Sequence, residues 1–443
     1  MKRLCLTAGI LAISAAGAAG LPHDRFAIGT YCLNGTAQTE AHIRDLKDCG
    51  IDFVIGVSGA KAETRELMKK YGILEIVSGY IPHPPGSTKA GTFAETAPLE
   101  KFEKGGRKFA DDVRSGKFPT LAALSLGDEP NAVDFPHLGK TIARTRQACG
   151  NLPLYLNLFP NYASSTKNNT NPKYPKSQLG TASYEEYVDQ YCKYIPLDHI
   201  CWDHYVYSYS RKTGIPRFYD NFRIVADACR RTGRTLRFVP QVNSAKPEMW
   251  LSANMLRFQG FVTMAFGGES VAWACWTKGW WHNLVLDSKG EKTEQYEKLK
   301  KVNGELKTVG AAYMRFRNVA THFVGFAADD PDLKGLPVVS PAELDAGYVT
   351  GLAAADGRPL LVGEMAPRAS GTDAKAFLVV AAEDPFDTAP AVRAVRFRLA
   401  DGLRATVIGG EGKVALTPDA EGRLSFPLAS SAGALLVVAG AAD

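Results

Sequence analysis

Gly127-Asp128-Glu129-Pro130 ends an apolar run (121–130) with two adjacent carboxylates. Two neighbouring carboxyls resist ionising together, so Asp128 is expected to raise the pKa of Glu129. A raised carboxyl suits a general acid near neutral pH. Pro130 disfavours helical backbone at Glu129 and predicts an extended residue there. Successive strand side chains point to opposite faces, so both carboxylates can share one pocket only if the strand end bends. A third carboxylate, Asp203, lies in another apolar run (199–207), followed by His204 and Tyr205. Asn34, Tyr80, Asn157, Gln241, Trp276, Trp280 and Trp281 stand at or beyond the ends of further apolar runs. Amides and phenols hydrogen-bond hydroxyls, and indole faces stack on saturated rings.

The elements that must carry these residues alternate. Strand-like runs are expected at 26–35, 51–57, 73–80, 121–130, 152–161, 199–207, 235–244 and 271–277. Stretches with helical spacing follow at 37–49, 62–71, 98–115, 136–148, 184–194, 218–231, 247–261 and 292–309. Eight strand–helix units whose strands are apolar on both faces predict a closed parallel sheet, a (β/α)8 barrel over 21–313. An open doubly wound sheet is disfavoured, because no glycine-rich phosphate loop follows the first strand. Barrel enzymes carry their reactive groups at the carboxyl ends of the strands, where the residues named above fall. Glu269 precedes the eighth run, at the opposite end, and reads as structural. From about residue 314 short strands separated by Gly, Asp and Pro predict a small antiparallel β-sandwich over 314–443.

Residues 1–20 have a charged start at Lys2 and Arg3, an apolar stretch and then small residues. This is the pattern of a cleaved secretory signal, too short to span a membrane, and it predicts a secreted or periplasmic chain. No later stretch is apolar enough to cross a bilayer. The net charge of +6 comes from scattered Lys and Arg, which argues against nucleic-acid binding. Cys5 falls inside the signal, leaving seven of the eight cysteines. Cys32, Cys201 and Cys275 lie in strand-like runs and read as small buried hydrophobes. No C-x-x-C or histidine-rich spacing suggests a metal site, and no cofactor is implied.

The Asp128-Glu129-Pro130 motif on the fourth strand, the aromatic eighth strand and the C-terminal β-region together resemble the barrel glycoside hydrolases of the large clan with Asn-Glu-Pro at that position. The resemblance covers most of the chain after residue 20 as architecture. It implies an oligo- or polysaccharide substrate and Glu129 as general acid/base. That clan places its nucleophile, a Glu, at the end of the seventh strand, where this chain has Gln241. Two routes stay open. Asp203 can be the second carboxylate, retaining at about 5–5.5 Å from Glu129 and inverting at about 6.5–9.5 Å. Alternatively, Asp128 orients the acetamido group of an N-acetylhexosaminide, which attacks the anomeric carbon itself while Tyr205 holds its oxygen. Adjacent Asp-Glu pairs on the fourth strand resemble the β-N-acetylhexosaminidases that use this route. Asn34, Tyr80, Asn157, His204, Tyr205, Gln241, Trp276 and Trp280 are then the expected sugar contacts. The alternative is a glycan-binding protein without catalysis, on the same scaffold.

Overall fold

A computed structural model describes residues 20–170, 176–277, 279–387, 389 and 391–440. The signal expected over 1–20 lies outside them except for Gly20, as do Cys5, Lys278 and part of the 162–181 loop. Eight parallel strands form the first layer: β1 (Ala27–Leu33), β2 (Phe53–Val57), β3 (Leu74–Val77), β4 (Leu121–Asp128), β5 (Leu154–Asn157), β6 (His199–Asp203), β7 (Thr235–Val239) and β8 (Gly268–Trp273). They pair in the order β5-β4-β3-β2-β1-β8-β7-β6. The ring closes where the Leu158 N–H donates to the Cys201 carbonyl at 2.8 Å. Burial explains the apolar runs: β6 is buried along its whole length, and β4 is buried from Leu121 to Gly127.

The surrounding helices are α1 (Glu40–Asp48), α2 (Ala62–Tyr71), the single turn α3 (Phe93–Thr96), α4 (Leu99–Arg114), α5 (Phe135–Cys149), α6 (Tyr184–Tyr194), α7 (Arg211–Thr232), α8 (Ala253–Ala265) and α9 (Glu294–Tyr313). Helix α7 starts seven residues before the sequence reading places it. The added turns include Pro216 and Gly214, and Gly214 is a packing residue: a Cβ there would sit 2.4 Å from the Val206 carbonyl oxygen. Strand β8 likewise begins earlier than expected and includes Glu269, which is paired with Arg368 at the amino-terminal end.

Helix α4 shows how packing overrides propensity. Its buried residues, Phe102, Gly105, Gly106, Phe109 and Ala110, recur with helical spacing on one face. Glycine inside a helix costs about 1 kcal/mol relative to alanine. It is kept because a Cβ at Gly105 would lie 2.1 Å from the Tyr80 carbonyl oxygen. That carbonyl begins the loop that carries His83 to the barrel mouth. Gly105→Ala is therefore expected to destabilise by about 1–3 kcal/mol despite its better propensity, measured by denaturant unfolding. A stabilised variant would show that the close approach is not constraining.

Beyond α9 the chain forms a β-sandwich. The six-stranded sheet has the order β15-β14-β17-β12-β11-β9, with β9 (Phe316–Val324), β11 (Leu360–Pro367), β12 (Lys375–Ala381), β14 (Leu403–Gly409), β15 (Gly412–Ala415) and β17 (Gly433–Gly440). The three-stranded sheet is β10-β13-β16, with β10 (Val349–Ala354), β13 (Val392–Leu399) and β16 (Leu424–Ala429). Strand β13 alternates buried and exposed residues, as an outer sheet must, whereas β12 is buried on both faces. The second face of β12 is covered by the barrel. Glycines let the sheet lie on α8: a Cβ at Gly363 would meet the Ala265 carbonyl at 2.3 Å, and one at Gly433 the Phe261 ring at 2.4 Å. Phe323 joins the barrel core through Tyr219, with ring centroids 5.3 Å apart. Among the described residues, no helix is long and apolar enough to cross a membrane.

Candidate active site at the mouth of the barrel

Asn157, the last residue of β5, ties together two carboxylates and the backbone of a third acidic residue. Its Nδ2 donates to Asp128 Oδ1 at 2.9 Å and to Asp203 Oδ1 at 2.8 Å. Its backbone carbonyl accepts the Glu129 N–H at 3.0 Å. An amide nitrogen carries two protons and both are used, so Asn157 positions carboxylates and has no donor left for a sugar hydroxyl. Its Oδ1 accepts a weak bond from Cys201 Sγ at 3.5 Å. Cys201 in turn contacts the Tyr155 hydroxyl at 3.2 Å, and Tyr155 contacts the Tyr31 hydroxyl at 2.8 Å. This chain of polar groups from β1, β5 and β6 floors the mouth.

The end of β4 bends as the two carboxylates require. Its register with β5 shifts between Ser125 and Asp128, and Gly127 has φ +130°. The expectation of extended backbone at Glu129 is corrected: its φ is +46°, in the left-handed region. The displaced register and the Asn157 carbonyl hold it there. Such backbone costs on the order of 1–3 kcal/mol in a residue that is not glycine and collects at functional sites.

The three carboxyls perturb one another. Burial, then the charges of Asp203 and Asp128, hold Glu129 well above the ordinary glutamate range. Asp203 is 4% exposed. Burial and the Asp128 charge push it up to about 7, against hydrogen bonds from Asn157, its own backbone and Tyr205. Asp128 opens to water on one side but is otherwise ringed by protein. The ring prevails, and its carboxyl is raised despite the Asn157 bond and the nearby His83. Each charge disfavours the other two, so the three carboxyls lose their protons in separate steps.

Other expected residues go elsewhere. Asn34 Oδ1 caps a short 3-10 turn by accepting from Thr36 N and Oγ1. Tyr80 turns to α4, where its hydroxyl donates to Asp112 and its ring packs on Phe109 and Phe118. His204 is fully buried, bonded to Asn221 at 3.0 Å, and burial lowers its pKa to about 4, so it is a neutral wall residue. Gln241 is fully buried: its Oε1 accepts from Tyr207 N and its Nε2 donates to the Asn243 carbonyl. Trp276 is fully buried against Tyr296 of α9. His204, Gln241 and Trp276 are enclosed and leave no face for a sugar, whereas Asn34 and Tyr80 are partly open and held by local partners.

Tyr205 remains at the mouth with Trp280 and Trp281, at ring-centroid distances of 5.7 and 4.8 Å. Trp280 is 37% exposed. Two residues escaped the sequence reading. His83 lies beside Gly127, where a Cβ would meet its ring at 3.5 Å, and close enough for the Asp128 charge to oppose the lowering of its pKa by burial. Tyr162 accepts a bond from Tyr205 N at 3.4 Å and packs on His204. His83 hides in a proline-rich loop and Tyr162 in a polar one. Their only signal is that both follow strand ends.

No family model matches the chain, and no curated protein matches it. Solved structures do. A cycloisomaltooligosaccharide glucanotransferase from Paenibacillus sp. is similar at 7% identity and a TM-score of 0.50, covering 93% of this chain and 84% of its own. A glucosidase from Croceicoccus marinus is similar at 12% identity and a TM-score of 0.46, covering 96% and 98%. A family 39 glycoside hydrolase from Bacteroides cellulosilyticus is similar at 14% identity and a TM-score of 0.47, covering 95% and 83%. At such identities the likeness is one of fold alone, and the fold is a (β/α)8 barrel with a β-sandwich behind it.

Proposed function

We propose that this protein hydrolyses glycosidic bonds, with Glu129 as general acid/base, and that its substrates are N-acetylhexosaminides. The observation that carries the reading is Asn157 holding Asp128, Glu129 and Asp203 together in the mouth. Glu129, its carboxyl raised by burial and its two acidic neighbours, gives its proton to the glycosidic oxygen as the bond to the anomeric carbon breaks. Buried Gln241 leaves no carboxylate at the end of β7. Of the remaining two, Asp128 faces water and Asp203 is enclosed. Accessibility therefore favours Asp128 as the group that meets the sugar. It accepts the acetamido N–H, and the acetamido oxygen closes on the anomeric carbon. Glu129, now a carboxylate, deprotonates the water that opens the ring so formed. Tyr205, Trp280 and Trp281 surround the sugar with aromatic surface.

Residues 1–20 act in this reading as a cleaved leader that delivers the chain outside the cytoplasm. Residues 21–313 form the catalytic unit and 314–443 an accessory one. An N-acetylhexosamine thiazoline copies the fused-ring intermediate and is expected to inhibit competitively. Equal turnover of substrates with and without the acetamido group, and no inhibition by the thiazoline, would assign the second role to Asp203. Trp280→Ala is expected to raise KM about tenfold, the loss of one stacking contact, with little change in thermal midpoint. An unchanged KM would remove Trp280 from the site.

A further inference from the structure

Cys32 and Cys275 stand side by side at the mouth, on the seam where β1 meets β8. The two chains stay hydrogen-bonded beyond β8: the Trp276 N–H donates to the Tyr31 carbonyl at 2.8 Å and the Thr277 N–H to the Cys32 carbonyl at 3.2 Å. A disulfide bridges Cα atoms about 4.4–6.8 Å apart, a span open to two chains bonded this closely. The side chains also converge. The two thiols are hydrogen-bonded to each other. A Cβ built at Gly279 would lie 2.5 Å from Cys275 Sγ and 3.8 Å from Cys32 Sγ, so both sulfurs lie under the same point of the following loop. That loop carries Trp280 and Trp281 to Tyr205. Reading these cysteines only as buried hydrophobes does not account for two thiols aimed at each other.

We propose that Cys32 and Cys275 are a dithiol modification site, joined into a disulfide by thiol–disulfide exchange with a small-molecule or protein disulfide, RSSR. Cys32 is partly exposed and Cys275 is buried, which sets the order of events. The Cys32 thiolate attacks RSSR, breaking its S–S bond and releasing one RS⁻. Cys275 then attacks the Cys32 sulfur, releasing the second RS⁻. Two protons and two electrons pass to the oxidant, giving two RSH and one intramolecular disulfide. The bond ties the first strand to the last and fixes the base of the tryptophan loop. It closes a long covalent loop, so it stabilises the fold. The inference does not depend on the hydrolytic reading.

The test uses the full chain, folded and without denaturant, incubated with oxidised glutathione at mildly alkaline pH. Thiols are counted before and after, and the protein is digested for peptide mass mapping. The expected result is loss of two thiols, a Cys32–Cys275 cross-linked peptide and no retained glutathione. The thermal midpoint should rise by several degrees, return with dithiothreitol and not move in Cys32→Ser. No loss of thiols, glutathione left on Cys32, or a bond between other cysteines such as Cys192 and Cys229 would overturn the proposal.

Discussion

Glu129→Gln is expected to lower kcat/KM on saccharide leaving groups by about 10²–10⁴-fold, while the thermal midpoint falls little or rises. Glutamine keeps the length and polarity of the side chain but cannot give up a proton as an acid. The backbone contact to Asn157 does not involve the side chain, so β4 keeps its bend. The substitution also relieves the mouth of one carboxyl that burial and two acidic neighbours disfavour in its charged form. The loss should shrink on aryl glycosides whose leaving group departs without protonation, because they do not need the acid step and lose only the later deprotonation of water. An equal loss on every leaving group, with a lowered midpoint, would mean that the side chain holds structure and does not transfer a proton.

The second large effect concerns pH. The Asp203 carboxyl stands at about 7 in the fold against an ordinary value of 3.8. Below 3.8 both the folded and the unfolded chain hold the proton, and the group does not affect stability. Between 3.8 and about 7 only the folded chain holds it, so unfolding releases a proton and stability falls as pH rises. Above about 7 the penalty is complete, on the order of 2–4 kcal/mol at this burial. Asp203→Asn removes the titration while the new amide oxygen still accepts from Asn157. It is expected to raise stability at pH 8 by about that amount and to flatten the slope between pH 4 and 7. Denaturant unfolding at several pH values measures both. A variant less stable than wild type at pH 8 would show that Asp203 is held as a stabilised carboxylate.

Much of this was legible from residues alone, and the failures have physical causes. The barrel is written in runs buried on both faces, which is why β6 and β4 could be read without partners. Glu129 stood out because a strand ending in two carboxylates and a proline has few structural uses. The bend that brings Asp128 and Glu129 together was stated as a requirement. Its form was not foreseen, because a register shift against β5 depends on a neighbour 29 residues away. The same distance hid the role of Asn157: an amide at a strand end reads as a ligand, and only the converging carboxylates show that its protons are taken. Trp276 and Gln241 were misassigned because position along the chain does not reveal which way a side chain turns once a strand has ended. Tyr80 and Asn34 were claimed by local partners, Asp112 and Thr36, that any polar loop offers. His83 comes from a loop whose path is set by the approach of α4 at Gly105.

The central claim is that the mouth around Asn157 is a glycosidase centre with Glu129 as its acid. The most direct measurement is turnover of a panel of aryl glycosides, N-acetylhexosaminides included, by wild type and Glu129→Gln at neutral pH. The account predicts hydrolysis of the N-acetylhexosaminides by wild type. It also predicts that azide, by intercepting the reaction after the aryl group has left, will not restore the proton that Glu129→Gln lacks for poor leaving groups. Glycan binding that is equal in both proteins, with no turnover by wild type, would contradict it and leave a carbohydrate-binding protein on a hydrolase scaffold.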